Sequence, residues 1–492
     1  MISPAHIRLL IGMALLLGPV AWAGPFIPAG DLALRHDIQR LADAGIIKGP
    51  TTTWPLAWGP IMDDLQQADA SSLHPAIVSS LIRVRDRANW ETRTTEITFK
   101  AKVGGAENPT RIRSFQDTPR GEIEIAAGAS WIDDWFSIEL NLQGVDSDQD
   151  SKELRFDDSM IGVMVGNWSF AASTQQRWWG PGWDGSLILS NNARPIPSLT
   201  IDRVFTDAFE SKWLSWIGPW DLSVMFGQME TERHIPNTKF FGMRVNFRPI
   251  PSLEFGLSRS AQWCGDGRPC DADTFLKLLL GQDNRGGGGI DLDNEPGNQL
   301  AGVDFRWSPG FFGHTFATYG QFIGEDEAGG FPSRYLVHFG IEGSGLIRDQ
   351  WSYRWYAELA GTSCDFVKDD IYNCAYNHFI YQTGYRFRSR AIGHGADNDS
   401  RLISVGTIIV NAEDTQWRAL IRYGELNRGG PPDSRNSLTP TRQDIASFDV
   451  FHSRVFSFGV IDVGAGYEKV DDFATGVTYS DGRFYLQWRS AF

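Results

Sequence analysis

Between Gln175 and Arg194 the chain gathers Trp178, Trp179 and Trp183 with Arg177, Asp184, Asn191, Asn192 and Arg194, and Gly180, Pro181 and Gly182 bend it tightly. This mixture suits carbohydrate. Sugar rings present C–H faces that pack on indole, and their hydroxyls exchange hydrogen bonds with Asn, Arg and Asp side chains. A guanidinium also forks onto carboxylates, which fits an acidic polysaccharide. The same residues suit a second purpose. A loop folded into a wide barrel needs Trp to fill volume and Arg or Asn to satisfy buried backbone groups. On the sequence alone both readings stand.

Other residues with chemical potential lead less far. His394, between Gly393 and Gly395, is placed either to polarise a bound ligand or to make a structural bond within a loop. Asp146, Asp148 and Asp150 alternate as calcium ligands do, but the glycine and closing glutamate of an EF-hand loop are missing. A solvated acidic loop is the plainer reading. Cys264 and Cys270 have five residues between them, and Cys364 and Cys374 have nine. Neither pair is a C-x-x-C and no histidines stand at zinc spacing, so two local disulfides, Cys264–Cys270 and Cys364–Cys374, are expected rather than a metal site. The chain has no G-x-S-x-G, H-E-x-x-H, P-loop or dinucleotide fingerprint, so neither catalysis nor a cofactor is expected.

The elements that position these residues begin with a leader. Arg8 precedes an apolar run, Leu9 to Leu17, and Ala21-Trp22-Ala23 is a small-x-small cleavage site, so residues 1–23 read as a secretory signal. Residues 24–91 then carry helical spacing. Leu34, Ile38 and Leu41 share a face between Asp31 and Gly45, Pro60 opens a second short helix, and Pro75 opens a third with Ile77, Leu81 and Val84 on one stripe. From about Thr94 the period becomes two. Ile97, Phe99, Ala101 and Val103 alternate with Thr98, Lys100 and Lys102, and Trp351, Tyr353, Trp355 and Leu359 alternate with Ser352, Arg354 and Glu358. Charge recurs on the polar face of strand after strand. That pattern fits a wet lumen inside and lipid outside, and strands in lipid must close into a barrel because every backbone group needs an internal partner.

The final strand agrees. Phe484, Leu486, Trp488, Ser490 and Phe492 share one face, and an aromatic carboxy-terminus resembles the signal read by the outer-membrane barrel assembly machinery. Asp133-Asp134, Gly166-Asn167, Gly218-Pro219, Pro249–Ser252 and Ser308–Gly310 read as tight periplasmic turns. Residues 144–158, 175–198, 229–238 and 261–298 read as long extracellular loops. A raw count gives nineteen crossings, with the surplus between Arg334 and Val410. At roughly 22 residues per strand with its share of loop, residues 92–492 hold about eighteen antiparallel strands. Trp131, Trp168, Trp220, Trp307, Trp351 and Trp488 are expected in aromatic girdles at the membrane interfaces.

Composition narrows the partners. The net charge of −15 excludes the basic footprint of a nucleic-acid binder, and 42% apolar with 21% charged residues exclude a disordered chain. No run beyond the leader is long and apolar enough for a helical span.

Gln175–Trp183 continuing through Ser186–Pro195 resembles the signature of the capsule assembly Wzi family. Tyr381–Arg386 with Arg390–His394, and Leu41–Ile46 followed by Trp54-Pro55, resemble the same family. The resemblance implies an all-β outer-membrane barrel of eighteen strands over a small periplasmic helical module, in a Gram-negative bacterium. It further implies a lectin-like surface protein, not an enzyme, that attaches or organises capsular or extracellular polysaccharide. Outer-membrane lipids and the assembly machinery are then its other partners. The rival is a porin-like channel for sugars or small solutes. That reading needs an open lumen, which the helices and the Trp-rich loop would obstruct.

Overall fold

The computed structural model describes residues 26–94, 96–147, 150, 152–279, 297–311, 314–328, 331–347, 351–364, 371–429 and 433–491. The expected leader 1–23, Asp148 and Phe492 lie outside the described residues. Eighteen long antiparallel strands, from Thr98–Glu107 to Val477–Ala491, form a closed barrel. Two-residue pieces at Leu154–Arg155 and Gly310–Phe311 add to its margins. Closure is made by the last strand on the first, with Phe484 opposite Glu107 and Ala491 opposite Lys100. The surplus crossing does not exist. Between Arg334 and Val410 the strands are Phe331–Ile347, Trp351–Gly361 and Arg401–Asn411, and the described part of 362–400 forms a long connection with one small hairpin.

Strand alternation produces an inverted wall. In Trp351–Gly361, Ser352, Arg354, Tyr356, Glu358 and Ala360 point inward and are buried, while Leu359 is half exposed on the lipid side. Phe99, Val103, Leu257, Ile403, Val405, Phe484 and Leu486 share that outer surface. The expected wet lumen is corrected. Much of it is packed with protein, so most of the inward charges are buried and must be paired.

Three helices fill the periplasmic mouth: α1 (Leu32–Asp43), α2 (Trp58–Gln67) and α3 (Pro75–Glu91). The Asp31 carboxylate accepts the Leu34 amide at 3.0 Å and caps α1. Gly45 ends the helix at φ 74°, a left-handed conformation that favours glycine. α1 enters the lumen, where its charges meet the wall. Arg306 joins Asp43 at 2.6 Å and Glu342 at 2.5 Å, and Arg354 reaches the same Glu342 at 2.6 Å. Beyond α1, the Glu254 carboxylate accepts the backbone amides of Thr51 and Thr52 at 3.0 and 2.9 Å. Arg248 donates to the carbonyls of Ala42, Ile47 and Gly49. The apolar core is likewise in the lumen, with Ile38, Leu41, Trp54, Trp58, Phe115 and Trp183 in one cluster.

Breaking a buried pair by removing one partner costs about 3–5 kcal/mol. Asp43→Ala is therefore expected to loosen the helical module and leave the barrel closed. Limited proteolysis in micelles tests this. Faster cleavage within residues 26–91 with the strands still protected is the expected result, and an unchanged rate would show the Arg306 tie to be dispensable.

Candidate functional site

All three segments that resemble one family meet inside the barrel. Trp178–Trp179 pairs antiparallel with Thr53–Trp54, so the tryptophan run and the Trp54-Pro55 segment form one small sheet. The 381–394 segment packs on the same run. Tyr385 donates its hydroxyl to the Ile188 carbonyl at 2.8 Å, and the Ser190 amide donates to the Ile392 carbonyl at 3.0 Å. Tyr376, just before that segment, donates to the Leu187 carbonyl at 2.7 Å. Of residues 175–198, expected as an extracellular loop, those up to Pro197 instead descend into the lumen, and Ser198 opens a strand.

Each expected sugar-binding side chain is committed there. Trp178, Trp179 and Trp183 are buried to within 1% of full coverage. Trp178 meets Phe115 edge-on at 5.3 Å, and Trp183 lies along Tyr356 at 6.1 Å and donates its indole N–H to Glu342 at 2.6 Å. Arg35 and Arg354 lie over the Trp183 ring at 4.3 and 4.8 Å. Arg177 forks onto Asp202 at 3.1 and 3.0 Å, and Asp184 takes a fork from Arg422 at 2.8 and 2.6 Å. Asn191 donates to the Phe115 carbonyl and Asn192 to the Ala391 carbonyl. Arg194 holds Asp157 and Asp150, so Asp150 serves ion pairs. His394 is buried too. Its Nδ1 accepts the Ala396 amide at 3.1 Å, and burial, with His338 nearby, lowers its pKa to about 4. Arg194 is partly buried and the rest are buried, which is what the plug reading expects; among the described residues the indole N–H groups of Trp178 and Trp179 and the Asn191 side-chain oxygen have no hydrogen-bond partner.

The surface that remains open is the extracellular end. There a cavity of about 760 Å³ lies between loops from four parts of the chain, and its lining includes Glu230, His234, Gln382, Arg388, Arg435 and Asn436. Its volume is in the range of small-ligand clefts. The wall is held rigidly from below. Arg386 forks onto Asp397 at 2.8 and 2.6 Å and also donates to Asn377 and Asn398, while Arg233 donates to the carbonyls of Gly384 and Arg386. Arg388 and Ser389 form the tip of a two-residue hairpin, both at positive φ (46° and 62°), which aims the turn outward. Exposed aromatics stand by the rim. Phe379 is half exposed, and its carbonyl accepts from Gln382. Tyr372 lies under the Arg428 guanidinium at 5.7 Å, next in sequence to Asn373, which accepts from Arg435. Sequence reading missed these residues. Gln382 lies in the Tyr381–Arg386 segment, the others carry no local motif, and all of them come together only when the loops close over the plug. The two disulfides, Cys264–Cys270 and Cys364–Cys374, tie the extracellular loops, as expected from spacing.

Trp183→Ala is expected to cost about 3–5 kcal/mol, as for other buried aromatics, and to lower the thermal unfolding midpoint in detergent. A variant of wild-type stability would remove Trp183 from the core of the plug. Because neutral His394 is favoured in the fold, its contribution is complete above about pH 6.5 and is lost as pH falls toward 4. Amide exchange in residues 187–193 should therefore quicken over that interval, and His394→Gln should flatten the dependence.

Comparison with known proteins places the chain. The family model for capsule assembly protein Wzi matches residues 94–475. An uncharacterized 55.8 kDa protein in the cps region of Klebsiella pneumoniae is 31% identical over 432 residues, covering 87% of this chain and 82% of that one. The structure of Wzi from Escherichia coli is described as an outer membrane protein involved in group 1 capsule assembly and a carbohydrate-binding β-barrel. It superposes with a TM-score of 0.81 at 25% identity, covering 95% of this chain and all of the other. A filled eighteen-strand barrel, built on the three segments that meet in its lumen and matched over most of its length, belongs to the capsule assembly Wzi family.

Proposed function

We propose that this protein sits in the outer membrane and binds exported capsular or extracellular polysaccharide at its extracellular face, holding the polymer on the cell surface. The observation that carries this reading is the outward cavity of about 760 Å³, lined by polar and charged side chains, with the exposed Phe379 and Tyr372 on the same loops, and set on a lumen already filled with protein. The wall and rim offer what a glycan needs. Arg388 and Arg435 can donate to hydroxyls or uronate carboxylates, Gln382 and Asn436 can both donate and accept, and Phe379 and Tyr372 present ring faces. The carbohydrate binding of the E. coli protein that shares the fold supports it. Binding proceeds without a covalent step. Each site holds its segment weakly, and a polymer spanning many barrels is retained through effective concentration. The last strand, ending in an aromatic face, is the part offered to the barrel assembly machinery, and the outer apolar band is the part offered to lipid. Passage of solutes is the weaker reading, because Ser114–Gln116, bound to Arg418 of the wall and to Trp183, together with residues 174–197 and α1, occupy space that a channel needs.

Deleting the gene tests retention. Total polysaccharide should stay constant while the cell-bound share moves into the medium, and an unchanged distribution would overturn the proposal. Residue by residue, Phe379→Ala and Tyr372→Ala should each weaken polysaccharide binding roughly 2- to 12-fold, the equivalent of about 0.5–1.5 kcal/mol per aromatic contact, with the unfolding midpoint unchanged. Unchanged affinity in both variants would move the site away from this rim.

A further inference from the structure

Residues 204–219 link the strands Ser198–Arg203 and Trp220–Gln228 at the periplasmic rim. The Gly218-Pro219 signal reads as a tight turn, but the link is far longer than its neighbours, such as 166–167 and 251–252. It is also the most exposed apolar segment of the described chain. Trp213 is 88% exposed and Trp216 is 64% exposed, with half-exposed Leu214 between them. An apolar cluster this open marks an interaction surface.

Its position says what covers it. Trp216 meets Phe247 edge-on at 6.4 Å, and Phe247 lies on the outer wall between the inward-facing, buried Asn246 and Arg248. Phe209 stacks on Trp220 at 4.7 Å, and Arg203 lies over Trp220 at 4.0 Å while donating to the Asp207 carbonyl. Gly218 brings the loop so close to the wall that a Cβ there would lie 1.9 Å from the Arg248 carbonyl oxygen. The loop is thus pressed against the lipid-facing side, continuous with it. Trp131, Trp135, Trp307 and Trp417 are also exposed at this rim, and all six tryptophans expected in girdles fall at this one end.

We infer that residues 204–219 are a membrane foot. Trp213, Leu214 and Trp216 enter the interface of the periplasmic phospholipid leaflet and extend the lipid-facing surface around Phe247 and Trp220 past the rim. Lys212, beside Trp213, faces the phosphate layer, while Asp207 and Glu210 stay on the aqueous side. The foot sits under one sector of the barrel only, so it fixes which sector rides deepest.

Site-specific photocrosslinking in intact cells tests this with the whole protein. Trp213→p-benzoylphenylalanine keeps a large aromatic at the site, and Gln66→p-benzoylphenylalanine, on an exposed position of α2, serves as the aqueous control. With phospholipids radiolabelled in their acyl chains, the position 213 variant should take up several-fold more label than the position 66 variant. Label at position 213 no higher than at position 66, or a covalent adduct with a protein in place of lipid, would overturn the inference.

Discussion

Most of the charged side chains on the inner wall are buried under the segments that fill the barrel, and that constraint organises the molecule. Arg306, Glu342, Arg354 and Glu358 come from three strands of the wall and are almost fully buried. An unpaired charge in such a place costs several kcal/mol, so each must be met by a group of opposite sign or by strong hydrogen bonds. The filling segments supply them. Asp43 comes from α1, and the Trp183 and Asp184 amides, donating to Glu358 at 2.5 and 2.9 Å, come from the plug. Tyr319 of the wall completes the same carboxylate at 2.7 Å. Wall, helix and plug therefore form one polar network.

Much of this was legible and much was not, for identifiable reasons. Alternation in Trp351–Gly361 placed Arg354 and Glu358 inside and Leu359 outside, since side-chain direction in a strand depends only on parity. Asp31, Gly45 and Pro75 marked helix ends because capping and proline chemistry are local. Partners separated by hundreds of residues leave no such mark. Nothing near Asp184 announces Arg422, and nothing near Arg35 announces the Pro181 carbonyl it reaches at 2.9 Å. The tryptophan motif was read correctly as chemistry-bearing but carried two meanings, and only the course of residues 174–197 into the lumen separates them. The cavity rim was invisible for the opposite reason. Arg388 and Arg435 are ordinary loop residues until the plug brings their loops together, and the segment that holds Gln382 does not announce a cavity.

The two ends of the barrel are built for different neighbours. At the periplasmic end the links are mostly short and tryptophan collects on the outer wall, where an indole bridges apolar chains and wet headgroups. At the outer end the loops are long, polar and cross-tied by Cys264–Cys270, Cys364–Cys374 and the Arg386–Asp397 fork. The motif tryptophans stay out of both surfaces because they are occupied in the middle.

That division explains why a filled barrel suits the retention of a polymer. A loop that orders only on binding loses part of each contact's free energy to the ordering, about 0.5–1.5 kcal/mol for every flexible side chain immobilised. Here the ordering is done when the protein folds. Arg386 is already fixed by Asp397, Asn377 and Asn398, and the hairpin it anchors holds Arg388 and Ser389 at the cavity wall. The plug beneath is held by Glu358 and Arg422 of the barrel strands. Weak single contacts on a rigid platform keep their full value, and a long chain that meets many such platforms at once multiplies them. The buried polar network, which looks like an obstruction when the barrel is viewed as a channel, is then what makes the outer surface stiff enough to bind.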